Sequence, residues 1–204
     1  IVLFRLPWRN EPSELALKKV SLSVINDLVT DNRVHKVATS LQQMGFDPVL
    51  IGRILPESRP VERAYPTHRM KLFFRKGPLF YFEYNVRLFC YLLFLKIDVF
   101  VANDLDTLPA NFYASRIRRK PLVYDSHEYF TEVPELVNRP RVKAIWTKIE
   151  KSLVPKVDAA YTVCESIAGV YRSKYGVDFK VVRNLPFRAT TESIADRISN
   201  SPKI

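Results

Sequence analysis

The chain has 204 residues, 47% of them hydrophobic, which is enough for one ordinary core without a covalent staple. Its two cysteines, Cys90 and Cys164, both sit in apolar contexts, which argues against a disulfide framework or structural zinc and fits a reducing compartment. Thirty-two lysines and arginines against 21 aspartates and glutamates give a net charge of +11, which suits an anionic partner (phosphate groups, nucleic acid or an acidic membrane face) or simply a soluble surface.

From the amino end there is no basic-apolar-small signal pattern. The first apolar run, VSLSVI (20–25), is short and exits into Asn26, Asp27, Thr30, Asp31 and Arg33. A helix is predicted over 31–44. Val34, Val37, Ala38, Leu41 and Met44 lie at helical spacing, Thr30 or Asp31 can cap the start, and Gly45 is the stop. PVLIG (48–52) is a second strand. The proline-bearing region 53–78 includes the basic-aromatic run HRMKLFFRKGP and reads as containing a strand near 69–74. Residues 80–96 form an apolar helix expected to pack on the sheet. Glu83, Asn85 and Arg87 interrupt it, leaving it short of the roughly 20 apolar residues a membrane span needs.

DVFVA (98–102) runs into Asn103, Asp104, Asp106 and Thr107, and a helix over 107–118 tolerates Pro109 in its first turn. PLVYD (121–125) runs into Ser126, His127 and Glu128. The next helix starts at Pro134 or Arg141 and ends at Leu153, with Ile145, Ile149 and Leu153 expected inside and Trp146 a further core candidate. AAYTVC (159–164) precedes a helix over 165–175 closed by Gly176, and FKVVR (179–183) leads to Asn184. The runs show little period-two alternation, as expected of strands covered on both faces. Strand and helix alternating in this way specify a Rossmann-like, doubly wound α/β domain: a mainly parallel sheet with helices on both faces.

In such sheets ligands bind beyond the carboxyl ends of the strands. There the chain places Asn26, Asp27, Arg33, Asn103, Asp104, Asp106, Asp125, His127 and Glu128. Several of these positions have a plainer use. Asp31, Asp106, Thr107 and Ser166 suit helix caps, and Asn26-Asp27 suits a turn. The cluster Asp125-Ser126-His127-Glu128 stands apart, because an imidazole between carboxylates titrates near neutrality and can hold or accept a proton from a hydroxyl, or pair with phosphate. Asp104, Asp106 and Asp125 could together suit a hard ion such as magnesium, but no metal or other cofactor is expected. No GxGxxG follows the first strand, and neither GxxxxGK[ST] nor GxSxG occurs, so dinucleotide, P-loop and serine-hydrolase readings fail.

The segments NDLVTDNRVHKVATSLQQMGFDPVLIGR (26–53), VANDLDTLPA (101–110), VYDSHEYFTEVPEL (123–136) and VVRNLP (181–186), in that order and spacing, resemble the amino-terminal half of bacterial glycosyltransferases of the family 4 type, which have GT-B architecture. The resemblance implies two Rossmann-like domains across a cleft, this one holding the acceptor and the other most of a nucleotide-sugar donor. It implies an extension over 1–18 without a family counterpart, the acceptor-side domain over 19–186, and a linker over 187–204 towards a donor-binding domain. The start without Met and the end at SNSPKI fit such a half, expected to be inactive alone. By resemblance, the loop from Asn26 to Arg33 faces the donor diphosphate, with Arg33 replacing the glycine-rich loop of many members. His127 matches the histidine at the reaction centre, and Asp104, Asp125 and Glu128 shape the acceptor pocket.

The implied activity is retaining transfer of a sugar to a hydroxyl acceptor, free or lipid-linked, in cell-surface polysaccharide or glycolipid synthesis. The expected place is the cytoplasm, including the inner face of the plasma membrane, where RMKLFFRKGPLFYF (69–82) could meet an anionic bilayer. Two rival readings remain. A sugar-nucleotide epimerase of GT-B shape would use the same cleft. A basic nucleic-acid-binding module would explain the charge, but the chain lacks RNP, KH and helix-turn-helix signatures, so no nucleic acid is expected.

Overall fold

The computed structural model describes residues 17–185. The linker expected over 187–204, and all but the last two residues of the extension expected over 1–18, lie outside the described residues.

Strands β1 (Lys19–Asp27), β2 (Asp47–Ile54), β3 (Thr67–Lys71), β4 (Val99–Asn103), β5 (Leu122–Ser126), β6 (Ala159–Thr162) and β7 (Lys180–Val181) form one sheet in the order β3-β2-β1-β4-β5-β6-β7. Every neighbouring pair is parallel. Helices α1 (Asn32–Gln43), α2 (Pro78–Phe94), α3 (Leu108–Arg118), α4 (Pro134–Val137), α5 (Pro140–Leu153) and α6 (Glu165–Tyr175) make every connection but that from β2 to β3, which is an irregular segment over 55–66.

Successive strand residues point to opposite faces, and two cores result. On one face Val20, Leu22, Leu50, Val99 and Val101 pack with Val34 and Ala38 of α1 and with Tyr65 from the β2–β3 connection. On the other, Ile51, Phe100, Ala102, Leu122 and Tyr124 meet Tyr84, Leu88 and Leu92 of α2, Ala114 of α3, Trp146 of α5 and Tyr171 of α6. Both faces are covered, which is why the runs lack alternation. Tyr84 is fully buried and donates its hydroxyl to the Val24 carbonyl, tying α2 to the strand that feeds the site.

Local chemistry sets the helix ends. Asp31 caps α1 by accepting from the Val34 amide at 3.1 Å. Gly176 ends α6 in the left-handed region, at φ 70°. Thr107, expected as a cap, stands at the α3 cap position, but its hydroxyl donates to the Asn103 carbonyl at 2.8 Å instead.

Three expectations are corrected. Helix α5 presents Trp146, Glu150 and Leu153 to the core, with Ile149 half-buried against it as expected, while Ile145 is 59% exposed, because the indole takes the place on the core face expected for Ile145. The third strand starts at Thr67 and ends at Lys71, leaving Phe73 and Phe74 exposed beyond it. The last strand shrinks to Lys180–Val181, since Phe179 turns into the core and stacks on Tyr171 at a centroid distance of 4.2 Å.

Candidate active site at the strand switch

After β1 the chain winds towards β2 and β3; from β4 it winds the other way. The carboxyl ends of β1 and β4 therefore diverge, and a crevice opens where such sheets take their ligands. A cavity of about 340 Å³ lies there, lined by Asn26 at the end of β1, Thr30 to Val34 at the start of α1, Asp104 after β4 and His127 after β5.

Gly52 lets the β1–α1 loop come this close. A Cβ on it would stand 2.4 Å from Leu28 Cδ2 and 2.8 Å from the Asn26 carbonyl oxygen. Register does the rest. Asn103 pairs with Asp125, and Asp125 with Tyr161, so three polar side chains sit abreast across β4, β5 and β6.

At the mouth, His127 Nδ1 lies 2.6 Å from Asp104 Oδ2, with the histidine side chain 34% exposed. Burial by itself would lower the imidazole pKa, but the hydrogen bond and charge of Asp104 outweigh it and the net shift is upward. Asp104 adopts φ 65°, an unusual conformation for a residue with a side chain. Its amide is fixed by the Asp125 carbonyl at 2.8 Å, which aims its carboxylate at the ring. With Nδ1 so engaged, Nε2 is the ring's other polar atom. As imidazolium it donates, and as neutral imidazole it accepts from a hydroxyl.

Behind this pair, Arg33 contacts the fully buried Asp125, whose second oxygen accepts from the Tyr161 hydroxyl at 2.8 Å. Burial pushes Asp125 up to about 6, against the pull of Arg33. Asp106 is buried too, with Oδ1 lacking a hydrogen-bond partner, and burial together with the charges of Asp104 and Glu128 drives its pKa well upward.

The structure thus brings Asn26, Arg33, Asp104 and His127 to one cavity, with Asp125 directly behind Arg33. The other proposed positions fall elsewhere. Asp27 accepts from Ser58, from Arg69 at 3.0 Å and from the Val29 amide at 3.2 Å, an anchor for the β1 loop. Asn103 is buried and donates to the Ser23 carbonyl at 3.1 Å. Glu128 is exposed beside the cavity, outside its lining. The three aspartates considered for magnesium do not converge. Asp104 turns to His127 and Asp125 to Arg33, and among the described residues no group of three or more His, Cys, Asp or Glu side chains is placed to hold a metal.

Sequence reasoning overlooked Tyr161, Ser58 and Arg69. A tyrosine inside the buried run AAYTVC needs a partner for its hydroxyl, and that was the available signal for Tyr161. Nothing local marks Ser58 or Arg69 as partners of Asp27.

Fold and site define a Rossmann-like α/β domain with a ligand crevice at its strand switch. The chain belongs to Glycosyltransferase Family 4, whose family model matches residues 31–185. No curated protein matches it in sequence. Among solved structures it resembles sucrose-phosphate synthase from Thermosynechococcus elongatus, with a TM-score of 0.56 and 12% identity over 91% of this chain and 53% of that one. Os79 from O. sativa in complex with UDP gives 0.59 and 12%, over 91% and 58%. Anabaena Alr3699/HepE in complex with UDP-glucose gives 0.54 and 13%, over 89% and 49%. The chain therefore spans about half the length of these structures, and at such identities the likeness is one of fold.

Proposed function

We propose that this chain is the acceptor-side domain, residues 19–186, of a glycosyltransferase that moves a sugar from a nucleotide-sugar donor to a hydroxyl acceptor. The observation that carries the reading is the histidine held by an aspartate at the mouth of the switch-point cavity. Family membership and the nucleotide ligands of two similar structures support the donor class. In this reading the other half of the enzyme binds most of the donor, and this half alone does not turn over.

His127 Nε2 holds the acceptor hydroxyl or a sugar hydroxyl at the reacting centre, and Asp104 keeps the ring oriented. The amino end of α1 and Arg33 face the developing negative charge of the leaving diphosphate, where fixed donors stabilise it most. Arg33 is the weaker contributor, since one of its nitrogens is already committed to Asp125. Asn26 lines the cavity that takes the sugar, Glu128 meets the acceptor from beside it, and the buried Asp106 makes no contact with the sugar. The proposed stereochemistry is retaining. The proposed acceptor is a sugar or lipid-linked hydroxyl of cell-surface polysaccharide or glycolipid synthesis, handled on the cytoplasmic side.

The test is transfer of radiolabel from a panel of UDP-sugars to saccharide acceptors by an enzyme joining this half to its donor-binding half. Labelled glycoside of retained anomeric configuration is the expected product. Release of an epimerised UDP-sugar with no glycoside formed would give the cleft to the epimerase reading instead.

A further inference from the structure

Helix α2 is apolar on two opposite sides. Phe80, Tyr84, Leu88 and Leu92 are buried against the sheet. Facing away from it, Leu79, Phe82, Val86, Cys90 and Phe94 succeed one another at intervals of three, four, four and four residues, which is a single stripe along the helix. All are exposed, Phe82 by 69% and Phe94 by 87%. At about 1.5 Å per residue the stripe is roughly 22 Å long.

The loop after β3 extends it. Glu83 accepts from the Phe73 and Phe74 amides at 3.0 and 2.9 Å, and the Arg87 guanidinium lies 5.1 Å from the Phe73 ring centre. The loop is thereby fastened to the flank of the stripe, with Phe73 84% exposed. Scattered exposed hydrophobes are ordinary, but an apolar stripe of this length, with Phe73, Phe82 and Phe94 among its exposed residues, marks a contact surface.

Charge identifies the partner. Lys71, Arg75 and Lys76 are exposed around the loop, and Lys96 lies just past the far end of the helix. The acid of the helix, Glu83, is consumed by Arg87 and the two amides. A second copy of the chain would set one cationic rim against another, at a like-charge cost. An anionic bilayer offers headgroups to the cations and an interface to the aromatics. Because the inner side of α2 is packed on the sheet, the helix lies on such a surface. Among the described residues no helix is long and apolar enough to cross a membrane.

We infer that the outer stripe of α2 and the loop 72–77 form a docking surface for an anionic phospholipid bilayer. The inference goes beyond the glycosyl-transfer reading and does not depend on it.

Cosedimentation of the chain with vesicles of phosphatidylcholine, and of equimolar phosphatidylcholine and phosphatidylglycerol, tests it without any activity assay. Partitioning onto the mixed vesicles is expected to be at least tenfold stronger. Joint replacement Phe73→Ser with Phe82→Ser is expected to weaken it tenfold or more while far-ultraviolet circular dichroism stays unchanged. Arg75→Ala with Lys76→Ala is expected to weaken it roughly 25-fold, each cation carrying about a fivefold factor. Equal partitioning onto neutral vesicles, no partitioning at all, or wild-type binding by either double variant would overturn the inference. So would a stable dimer that Phe82→Ser with Phe94→Ser dissolves.

Discussion

Two aspartates at strand ends, Asp27 on β1 and Asp125 on β5, each meet an arginine and a hydroxyl, and they titrate in opposite directions. Burial alone would raise Asp27, yet Ser58, the Val29 amide and Arg69 together hold it below its ordinary value of 3.8. Asp125 has Arg33 and Tyr161, but it is fully buried, Asp104 stands nearby, and its pKa rises to about 6. At β1 the lone pairs are consumed within the protein, and the result is an anchor. At β5 desolvation and neighbouring acids compete with the partners beside an open cavity, which is how functional sites acquire shifted groups. Residue type alone does not separate the two cases; what remains unspent at each strand end does.

The largest break in this comparison is expected from Arg33→Ala. It leaves the buried Asp125 carboxylate uncompensated, at a cost of about 3–5 kcal/mol. Urea unfolding at pH 8 measures this, and the deficit should shrink as pH falls from 8 towards 6, because without Arg33 the Asp125 carboxyl takes its proton at a higher pH than in the wild type. A uniform deficit across that range would show that the pair does not control the site.

Gly52→Ala should cost about 1–3 kcal/mol through overpacking against Leu28 and the Asn26 carbonyl. Because Asn26 lines the cavity, turnover of the joined enzyme should fall as well. Lost stability with intact turnover would separate the loop from the chemistry.

The smallest effect sharpens the contrast in sign. A carboxylate with a lowered folded pKa contributes stability above the unfolded value, and this is lost as pH falls through the folded one. Asp27→Asn should therefore flatten the acid side of the stability profile, below 3.8. A raised pKa works oppositely: its contribution is complete below 3.8 and is lost as pH rises through about 6. Asp125→Asn should flatten the profile between 3.8 and 6. Denaturant midpoints across pH 3 to 7 for both variants decide the matter.

Much of the fold was legible because covered strands and capped helices write strong local patterns. α6 and its Gly176 stop agree with the sequence reading to the residue. The rim of polar strand exits was legible too, from the fold rule alone. The sorting of that rim into lining and scaffold was not, because it depends on partners far along the chain. Arg33 reaches Asp125 across 92 positions, and Arg69 reaches Asp27 across 42. The expected burial of Ile145 failed for a related reason. Isoleucine and tryptophan compete for one helical face, and the shape of the core, set by Tyr81 and Phe130 around the indole, decides between them. The aromatics of 69–82 divide the same way. Phe80 faces the core and Phe82 faces out, a distinction that needs the exact helical phase.

The direct measurement is the sugar-transfer rate of the joined enzyme with His127→Ala, taken beside Arg69→Met. Misplacing a reacting hydroxyl by about 1 Å costs on the order of 100-fold, so the first variant should lose roughly 100-fold in rate with its melting temperature unchanged. The second should melt earlier and stay within about threefold of the wild-type rate, since losing a charged hydrogen bond costs about 2 kcal/mol of stability. An unimpaired His127→Ala enzyme, or an Arg69→Met enzyme that is fully stable but inactive, would contradict the division between anchor and site.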